Sequence, residues 1–582
     1  MAKEAPKKGG AADPPAPANA DPETRARSAA PVAPRYAVGI DLGTTHSVVA
    51  AVGLAGLALA AGEAAVAGAG AAAEAVVVEI LDIPQAVGPG QVEGRPKLPS
   101  FLYQAHPSEY AEGDLVLPWD PRPGVNCGEW ARELGRKTPI RLVASAKSWL
   151  CHGAVDRRAA LLPADAPAEV ARISPLAAST QYLAHLRAAW DHAHPEAPLA
   201  AQRVVLTVPA SFDPAARELT VEAARAAGLP HAVLLEEPQA ALYGWIRASG
   251  GRWREQVAVG EVILVVDVGG GTTDLSLVAV TAEDGRLALR RLAVGEHILL
   301  GGDNMDLALA YQVKAKLEAA GKALEAWQVQ ALTHACRDAK EALLAATAPE
   351  TLPIVAPGRG GKLIGGALRT ELTRVEVAAT LVDGFFPVVP AAARPATPAR
   401  AGLHVLGLPY AQDAAITRHL AAFLARHAGA TAGVPGGVET RPCDFLAPTA
   451  ILLNGGVFQG GGAGGAAAGG PQRLADRRRR PDGAAFARGG SRPGGGHGRR
   501  LLRLHPGRGR GADPGWHGGG LLRGGGGGGA GGAGPGAALA CAVRGALRHG
   551  GGGGARPPGG GVWPGGGGAG AFSLLRLPRP PP

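Results

Sequence analysis

The chain contains the same short motif twice, and each copy follows an apolar run of strand length. The first copy is VGIDLGTTHS at residues 38–47, and the second is VDVGGGTTD at residues 266–274, about 226 residues further along. Glycine between an aspartate and threonine hydroxyls allows a tight turn whose backbone N–H groups can approach phosphate oxygens. Either copy alone could be a structural hairpin. Two copies, each after a strand, indicate two lobes that share one phosphate-binding cleft.

Strands and helices alternate along the rest of the first 459 residues. Three apolar runs predict strands: Tyr36–Ile40, Arg203–Val208 and Val262–Val266. Asp213 and Pro214 are typical of a helix N-cap and a first helical residue, and Gly228 is typical of a helix end. We therefore expect an α/β fold with mixed sheets.

Composition identifies two segments outside this pattern. Residues 1–34 are rich in Ala, Pro and charge without an apolar period, so we expect a disordered N-terminal segment. Residues 51–78 are rich in Ala and Gly but contain Glu63 and Glu74, which predicts a low-complexity insertion and not a membrane span. With no transmembrane segment and no signal-peptide pattern, we expect a cytoplasmic protein.

The tail, residues 460–582, differs in kind from the rest of the chain. It holds 45 of the 89 glycines and 18 arginines, with no lysine, three aspartates and no glutamate. The tail has a net charge of +15, whereas the first 459 residues are mildly acidic. The net charge of +10 for the whole chain therefore comes from the tail. Gly, Ala, Arg and Pro have codons rich in G and C, which favours the hypothesis that a GC-rich gene is read here in a shifted frame.

We expect the tail to be disordered, because it lacks strand or amphipathic periodicity. The alternative is an Arg/Gly tail that binds RNA electrostatically. It has no regular RGG spacing and few aromatic residues for stacking, so nucleic-acid binding is not favoured. The five cysteines form no CxxC and no Cys/His pairing, which argues against a zinc module and against a disulfide scaffold.

The two motifs occur with three others: VVLTVPASFD (204–213), LLEEPQAALYGW (234–245) and LLGGDNMD (299–306). Together they resemble the heat-shock protein 70 (DnaK-like) chaperone family, in a divergent bacterial branch, over about residues 36–459. The resemblance implies an actin-like ATPase fold, in which two lobes with mixed β-sheets flanked by helices surround a Mg-ATP cleft. Lobe I would be residues 35–250 and lobe II residues 251–459, left incomplete where the tail begins.

The resemblance also implies the site residues. Lys147 would orient the attacking water, and Glu237 and Asp267 would complete the catalytic set. Asp41, Asp267 and Asp274 would serve Mg²⁺, and Pro209 and Arg217 would report nucleotide state to a substrate domain. Nucleotide contacts would come from glycines, threonines and one lysine: Gly43, Thr44, Thr45, Gly269, Gly270, Gly271, Thr272, Thr273, Gly301, Gly302, Lys340, Gly455 and Gly456.

The residues themselves favour the same chemistry. Phosphoryl transfer to water depends on positioning and charge stabilisation, for which one lysine, several carboxylates and loops of free N–H groups suffice. Nothing resembles a P-loop or a nucleophile triad. Taken alone, Lys147 would be read as a surface lysine, and Arg217 could be either a functional residue or a solvated charge on its helix.

Two other functions stay open at this point. One is a sugar or acetate kinase of the same superfamily, although the EEPQAA and AKSWL segments fit the chaperone better. The other is a non-catalytic nucleotide-binding module whose basic tail binds nucleic acid.

The sequence departs from the family in the nucleoside-binding segments. The family commonly places an arginine on each side of adenine, and Glu341 and Gln459 occupy those places here. Arg337 stands where an acidic residue is expected. These departures bear on adenine affinity and on the preference for ATP over GTP. The partners implied by the family are ATP or ADP, unfolded polypeptide clients and co-chaperones, with no membrane.

Overall fold

The computed structural model describes residues 33–55, 77–106, 108–250, 252–283, 286–345, 347–358, 368–396, 408–432, 445–459 and 574–576. The strands are β1 (Tyr36–Leu42), β2 (His46–Gly53), β3 (Glu79–Ile80), β4 (Ile83–Gly88), β5 (Gln91–Arg95), β6 (Leu98–Pro99), β7 (Leu102–Tyr103), β8 (Asn126–Cys127), β9 (Leu142–Val143), β10 (Arg203–Val208), β11 (Val233–Glu236), β12 (Val262–Val268), β13 (Thr273–Glu283), β14 (Arg286–Val294), β15 (Thr351–Ala356), β16 (Leu368–Thr373), β17 (Ala450–Asn454) and β18 (Leu574–Arg576).

The helices follow the same chain order. They are α1 (Glu129–Lys137), α2 (Ala146–Leu150), α3 (Pro175–Ala193), α4 (Pro214–Ala226), α5 (Glu237–Ala248), α6 (Trp253–Gln256), α7 (Gly302–Ala319), α8 (Ala326–Leu343), α9 (Arg374–Ala378) and α10 (Ile416–Arg426). Short 3₁₀ turns cover Pro139–Arg141, Leu199–Ala201 and Gly456–Gln459, and a π-helical turn covers Ala379–Phe385.

Two large sheets repeat the same strand order. In the first, the order is β11-β10-β1-β2-β3, where β1 runs antiparallel to β2 and parallel to β10. In the second, the order is β14-β13-β12-β17-β18, where β12 runs antiparallel to β13 and parallel to β17. The two copies of the glycine motif follow the corresponding strands β1 and β12. This duplicated mixed-sheet architecture confirms the expected actin-like ATPase fold.

The packing of strand β12 explains the unbroken apolar run at Val262–Val266. Val262, Leu264 and Val266 pack into one core cluster, whereas Ile263 and Val265 pack into another on the opposite face of the sheet. Because successive strand side chains alternate between faces, a sheet that is covered on both sides requires apolar residues at every position. The second cluster also contains Leu242 and Trp245 of α5. Helix α5 therefore packs on the sheet of lobe II, although its residues precede the boundary predicted at 250.

The local predictions agree with the structure. The runs predicted as strands are β1, β10 and β12, of which β1 and β12 each extend two residues further. The Asp213 side chain accepts a hydrogen bond from the backbone N–H of Ala216, which confirms it as the N-cap of α4. Gly228 has a positive φ of 84° directly after that helix, as a glycine at a helix end requires.

Two predictions about the unusual segments need correction. Ala51, where the Ala/Gly insertion was expected to begin, lies in β2 and pairs with Val38; residues 56–76 of the insertion lie outside the described residues. The expectation that no strand follows Gln459 is wrong for Leu574–Arg576, which pairs antiparallel with β17. A three-residue strand is too short to show a period in the sequence. The predicted N-terminal disordered segment and the rest of the tail lie outside the described residues.

None of the helices in the described ranges combines the length and the apolar character that crossing a membrane requires.

Candidate functional site

The central strand of each sheet carries an aspartate that a neighbouring parallel strand holds in place. Thr207 Oγ1 on β10 donates a hydrogen bond to Asp41 Oδ1 over 2.8 Å. Asn454 Nδ2 on β17 donates to Asp267 Oδ2 over 2.7 Å, and these two residues are register partners. The carboxyl ends of parallel strands meet at one edge of a sheet, which is where ligands bind in open α/β sheets. The two lobes therefore present equivalent, oriented carboxylates.

The two glycine loops lie against each other. A Cβ on Gly270 would meet Thr45 Oγ1 at 2.0 Å, and a Cβ on Gly271 would meet Ser148 Oγ at 2.4 Å and Thr44 Cγ2 at 3.1 Å. The second loop is closed by a hydrogen bond of 2.9 Å from the Gly269 N–H to the Thr272 carbonyl. Only glycine allows this approach, so the predicted phosphate-binding turns of the two lobes do meet in one place.

A third glycine pair lies against the second loop. The Gly302 N–H donates to the Gly269 carbonyl over 3.0 Å, and the Asp303 N–H donates to the Gly270 carbonyl over 2.7 Å. A Cβ on Gly301 would meet the Gly269 carbonyl oxygen at 2.6 Å. The N-terminus of α7 is therefore fixed beside the loop, where the helix dipole favours an anion.

Lys147 lies on α2 among acidic side chains. Its Nζ is 2.5 Å from Glu237 Oε1, and the side chains are only 11% and 17% exposed. Burial lowers the pKa of Lys147, but Glu237, Asp41 and Asp274 together raise it above its usual value. The lysine therefore stays protonated. Sequence reasoning placed Lys147 and Glu237 in one site, and the structure brings them into contact.

The carboxylates outnumber the cation that balances them. Burial raises the pKa of Glu237 to about 8, and the charges of Asp267, Asp41 and Asp274 also raise it against the opposing effect of Lys147. Burial and the charge of Asp274 likewise raise the pKa of Asp267 to about 7. Such mutual repulsion is relieved when a cation binds among the acids.

These acids fit a hydrated Mg²⁺. Among the described residues, no three His, Cys, Asp or Glu side chains are grouped closely enough to hold a metal by themselves. Mg²⁺ usually keeps several waters and takes only one or two carboxylates plus substrate phosphates, so the cleft meets its requirements. Asp41, Asp267 and Asp274 are the residues that would hold the ion.

Lys340 and Arg337 form a second charged cluster beside the glycine pair. Lys340 Nζ is 2.6 Å from Asp306 Oδ1 and 3.5 Å from the Gly302 carbonyl oxygen. Arg337 donates to Asp306 Oδ2 over 2.7 Å and to Asp303 Oδ1 over 2.6 Å. The predicted nucleoside contact Lys340 is thus held against the Gly301–Gly302 turn. Glu341, on the same helix, is exposed.

Arg217 holds the loop that contains Pro209. Its guanidinium donates to the carbonyl oxygens of Ala210 and Phe212 over 2.9 and 3.2 Å. It also pairs with Glu236 over 3.0 Å, next to Glu237 in the chain. The structure therefore connects Arg217 both to the Pro209 loop and to Glu236, so Arg217 is not simply a solvated charge on the helix.

The loop after β17 needs glycine at one of its two predicted positions. Gly455 has a φ of 94°, and a Cβ there would meet the Val268 carbonyl oxygen at 2.2 Å, whereas a Cβ on Gly456 would meet nothing within 4 Å. We expect Gly455→Ala to lower the free energy of unfolding by about 2 kcal/mol or more, because a left-handed backbone and a steric clash are both imposed.

The matched variant Gly456→Ala is expected to change the free energy of unfolding by less than about 1 kcal/mol. Denaturant titration of the two variants is the measurement. Equal losses in both would show that the Gly455 backbone is not under this constraint.

Sequence reasoning missed several residues of the site. Thr207 and Asn454 orient the central aspartates, Ser211 hydrogen-bonds to Asp274, and Arg337 pairs with two aspartates. Asn454 had a usable signal, since a polar residue at the end of an apolar parallel strand lies at the ligand-binding edge. The others depend on contacts between segments distant in the sequence, which no local pattern encodes.

Comparisons with known proteins find similarity over part of this chain. Residues 134–389 match the family model described as Hsp70 protein. A chaperone protein HscA homolog of Bordetella pertussis is 31% identical over 360 residues, which is 60% of this chain and 47% of that protein. A homolog of the same name from Burkholderia ambifaria is 33% identical over 347 residues, or 58% of this chain and 46% of that protein.

The chain spans about half the length of the curated relatives it matches. The motifs, the duplicated fold and these similarities agree across the described lobes. Residues 134–389 therefore form an Hsp70 domain, and the similarities are consistent with a divergent bacterial branch of that family.

Proposed function

We propose that this chain binds Mg-ATP between its two glycine loops and hydrolyses it, with the nucleotide state coupled to the binding of unfolded polypeptide. The observation that carries the proposal is the contact of Lys147 with Glu237 among the carboxylates of Asp41, Asp267 and Asp274, beside the two apposed loops. Members of the Hsp70 family are ATPases. The activity of this chain rests on that relationship and on the site.

Each group of residues in the site would have a separate role in binding or hydrolysis. The N–H groups of the loops at Gly43–Thr45 and Gly270–Thr272 would bind phosphate oxygens, and the Gly301–Gly302 turn would hold the second loop in place. Mg²⁺, when bound, would neutralise developing charge on those oxygens. Lys147 would orient the attacking water, and Glu237 would hold the lysine in position. No covalent nucleophile is needed, because phosphoryl transfer to water depends on positioning and electrostatics.

The nucleoside would lie beyond the phosphates, between Lys340 on one side and the Gly455–Gly456 turn on the other. Lys340 is oriented by Asp306, and Gly455 brings its turn against β12. Two arginines around adenine are missing from this arrangement, because Glu341 and Gln459 occupy the places where the family commonly has them. The nucleotide would therefore be bound mainly through its phosphates and sugar, with few contacts to the adenine base.

The Pro209 loop is the candidate route from the nucleotide to a substrate domain. Arg217 holds two carbonyl groups of this loop and pairs with Glu236, which precedes Glu237. A change at Glu237 on hydrolysis would thus be transmitted to the loop. The relatives are chaperones, so unfolded clients, co-chaperones and a cytoplasmic location complete the proposal.

Hydrolysis is tested by measuring ADP and inorganic phosphate from Mg-ATP with the full chain. We expect turnover to disappear when EDTA removes Mg²⁺. We also expect Asp267→Asn to slow a single turnover by about a hundredfold, because a charged ligand of the metal is lost. The control Asp82→Asn alters an exposed aspartate and should keep the full rate.

Two outcomes would contradict the proposal. Turnover that persists in EDTA, or that is equal in Asp267→Asn and the unmodified chain, would place the reaction elsewhere. ADP formed without inorganic phosphate only when a sugar or acetate is added would identify the kinase alternative.

A further inference from the structure

Ser211 and His297 form a hydrogen-bonded chain with Asp274 across the two lobes. Ser211 lies in the loop between β10 and α4, whereas Asp274 is the second residue of β13 and His297 precedes α7. The Ser211 hydroxyl donates to Asp274 Oδ1 and lies 2.7 Å from His297 Nδ1. Asp274 is 2% exposed, so its carboxylate has little water available as an alternative partner.

The donors and acceptors in this chain can be assigned. A carboxylate only accepts, so the single hydroxyl proton of Ser211 is directed to Asp274. The Ser211 oxygen must then accept from His297, which places the imidazole proton on Nδ1. Burial lowers the pKa of His297, in keeping with a neutral ring that has one N–H. The other ring nitrogen, Nε2, is buried and has no hydrogen-bond partner among the described residues.

The loop that presents Ser211 is held on both sides. Arg217 binds the carbonyl groups of Ala210 and Phe212, the two neighbours of Ser211. The Phe212 ring also packs edge-on against the His297 ring, with centroids 6.1 Å apart. The backbone that carries the Ser211 hydroxyl is therefore held in place, and the hydrogen bond from His297 sets the orientation of the hydroxyl. A hydroxyl held in this way restricts the orientation of the carboxylate that it reaches.

We propose that Ser211 and His297 are positioning residues that hold the Asp274 carboxylate in its working orientation and link it to the Pro209 loop. This role rests on the proposed ATP hydrolysis. Ser211 and His297 do not touch the reacting atoms; they act through Asp274. Loss of the hydroxyl would leave Asp274 free to rotate, which disturbs the transition state more than the ground state bound by the glycine loops.

The kinetic test compares the full chain with Ser211→Ala and Ser211→Thr. We expect Ser211→Ala to slow single-turnover hydrolysis of Mg-ATP at least about tenfold, while the Kd for a fluorescent ADP analogue changes less than about twofold. Ser211→Thr keeps a hydroxyl and should recover most of the rate. Ser211→Ala at the full rate, or Ser211→Thr as slow as Ser211→Ala, would overturn the proposal.

A matched control exists on the surface. Ser108 Oγ lies 2.7 Å from His106 Nδ1, the same kind of contact at the same distance, but both residues are exposed. Ser108→Ala should therefore leave the hydrolysis rate and the Kd unchanged. A loss of rate in Ser108→Ala as large as that in Ser211→Ala would show a nonspecific effect and would count against the proposal.

A second readout does not depend on hydrolysis. In the ¹⁵N-histidine-labelled full chain at pH 7, we expect the His297 signal, assigned by its absence in His297→Asn, to show a protonated Nδ1 and a bare Nε2. Ser211→Ala should shift this signal. A protonated Nε2 or a charged ring would refute the hydrogen-bonded chain whatever the kinetics. The expected signal in a chain that hydrolyses no ATP would instead refute the proposed function and leave the contact standing.

Discussion

Lys147→Ala is expected to slow single-turnover hydrolysis of bound Mg-ATP by about 10²–10³-fold while the nucleotide Kd changes less than about threefold. The glycine loops bind the ground state, whereas the lysine acts on the attacking water and on charge that develops in the transition state. The Lys147 ammonium is also the cation closest to Glu237, at 2.5 Å, so no neighbouring group replaces it. Rapid-quench hydrolysis and equilibrium binding on the same preparation are the measurements.

Lys137→Ala provides the control for this substitution. Lys137 is exposed in the last turn of α1, so its removal changes net charge equally without touching the cleft. It should keep the rate and the affinity of the unmodified chain. If Lys147→Ala hydrolysed ATP at the full rate, Lys147 would have no part in the mechanism. If it lost binding and rate together, its role would be to bind the ground state.

Arg337→Leu is expected to lower the free energy of unfolding by about 3 kcal/mol or more. The arginine is 9% exposed and bridges Asp306, which is buried, and Asp303, whose side chain is 13% exposed. Removing one partner of a buried ion pair leaves an uncompensated charge, which costs more than the loss of a surface pair. Lys340 still pairs with Asp306, and Ser145 still donates to Asp303 over 2.9 Å, so part of the compensation remains.

The stability loss in Arg337→Leu is expected to depend on pH, and the direction of that dependence follows from Asp303. Burial raises the pKa of Asp303 above its usual value, and the charge of Arg337 opposes that shift. Without Arg337 the pKa rises further, so the folded variant takes up a proton that the unfolded chain has lost. Stability then decreases as the pH rises. The deficit of Arg337→Leu should be larger at pH 8 than at pH 5, and denaturant titrations at both values measure it.

Arg426→Leu is the matched control. Arg426 pairs with Glu296 over 2.6 Å, but their side chains are 58% and 77% exposed. Such surface pairs contribute about 1 kcal/mol or less, because solvent screens them. A deficit in Arg337→Leu no larger than that in Arg426→Leu, or a deficit that is the same at both pH values, would show that the cluster does not act as a buried charge network.

The local elements of the fold follow from the sequence. The strands β1, β10 and β12 were predicted from apolar runs, and α4 from its Asp213 cap, because these signals act over a few neighbouring residues. The duplicated glycine motif predicted two lobes, because each copy follows an apolar run of strand length. The roles of the predicted site residues remain predictions. The structure supports them by bringing Lys147, Glu237 and the two glycine loops together.

The sequence by itself determined which residue types stand at the strand ends and turns: the aspartates near the ends of β1 and β12, and the glycines that follow them. Only the tertiary structure decided their partners. Thr207 and Asn454 reach Asp41 and Asp267 through parallel strand register, and Ser211 reaches Asp274 across the lobes. Strand β18 pairs with β17 from more than a hundred residues away. These contacts join segments far apart in the chain, so they depend on how sheets pair and lobes meet, and no local pattern carries that information.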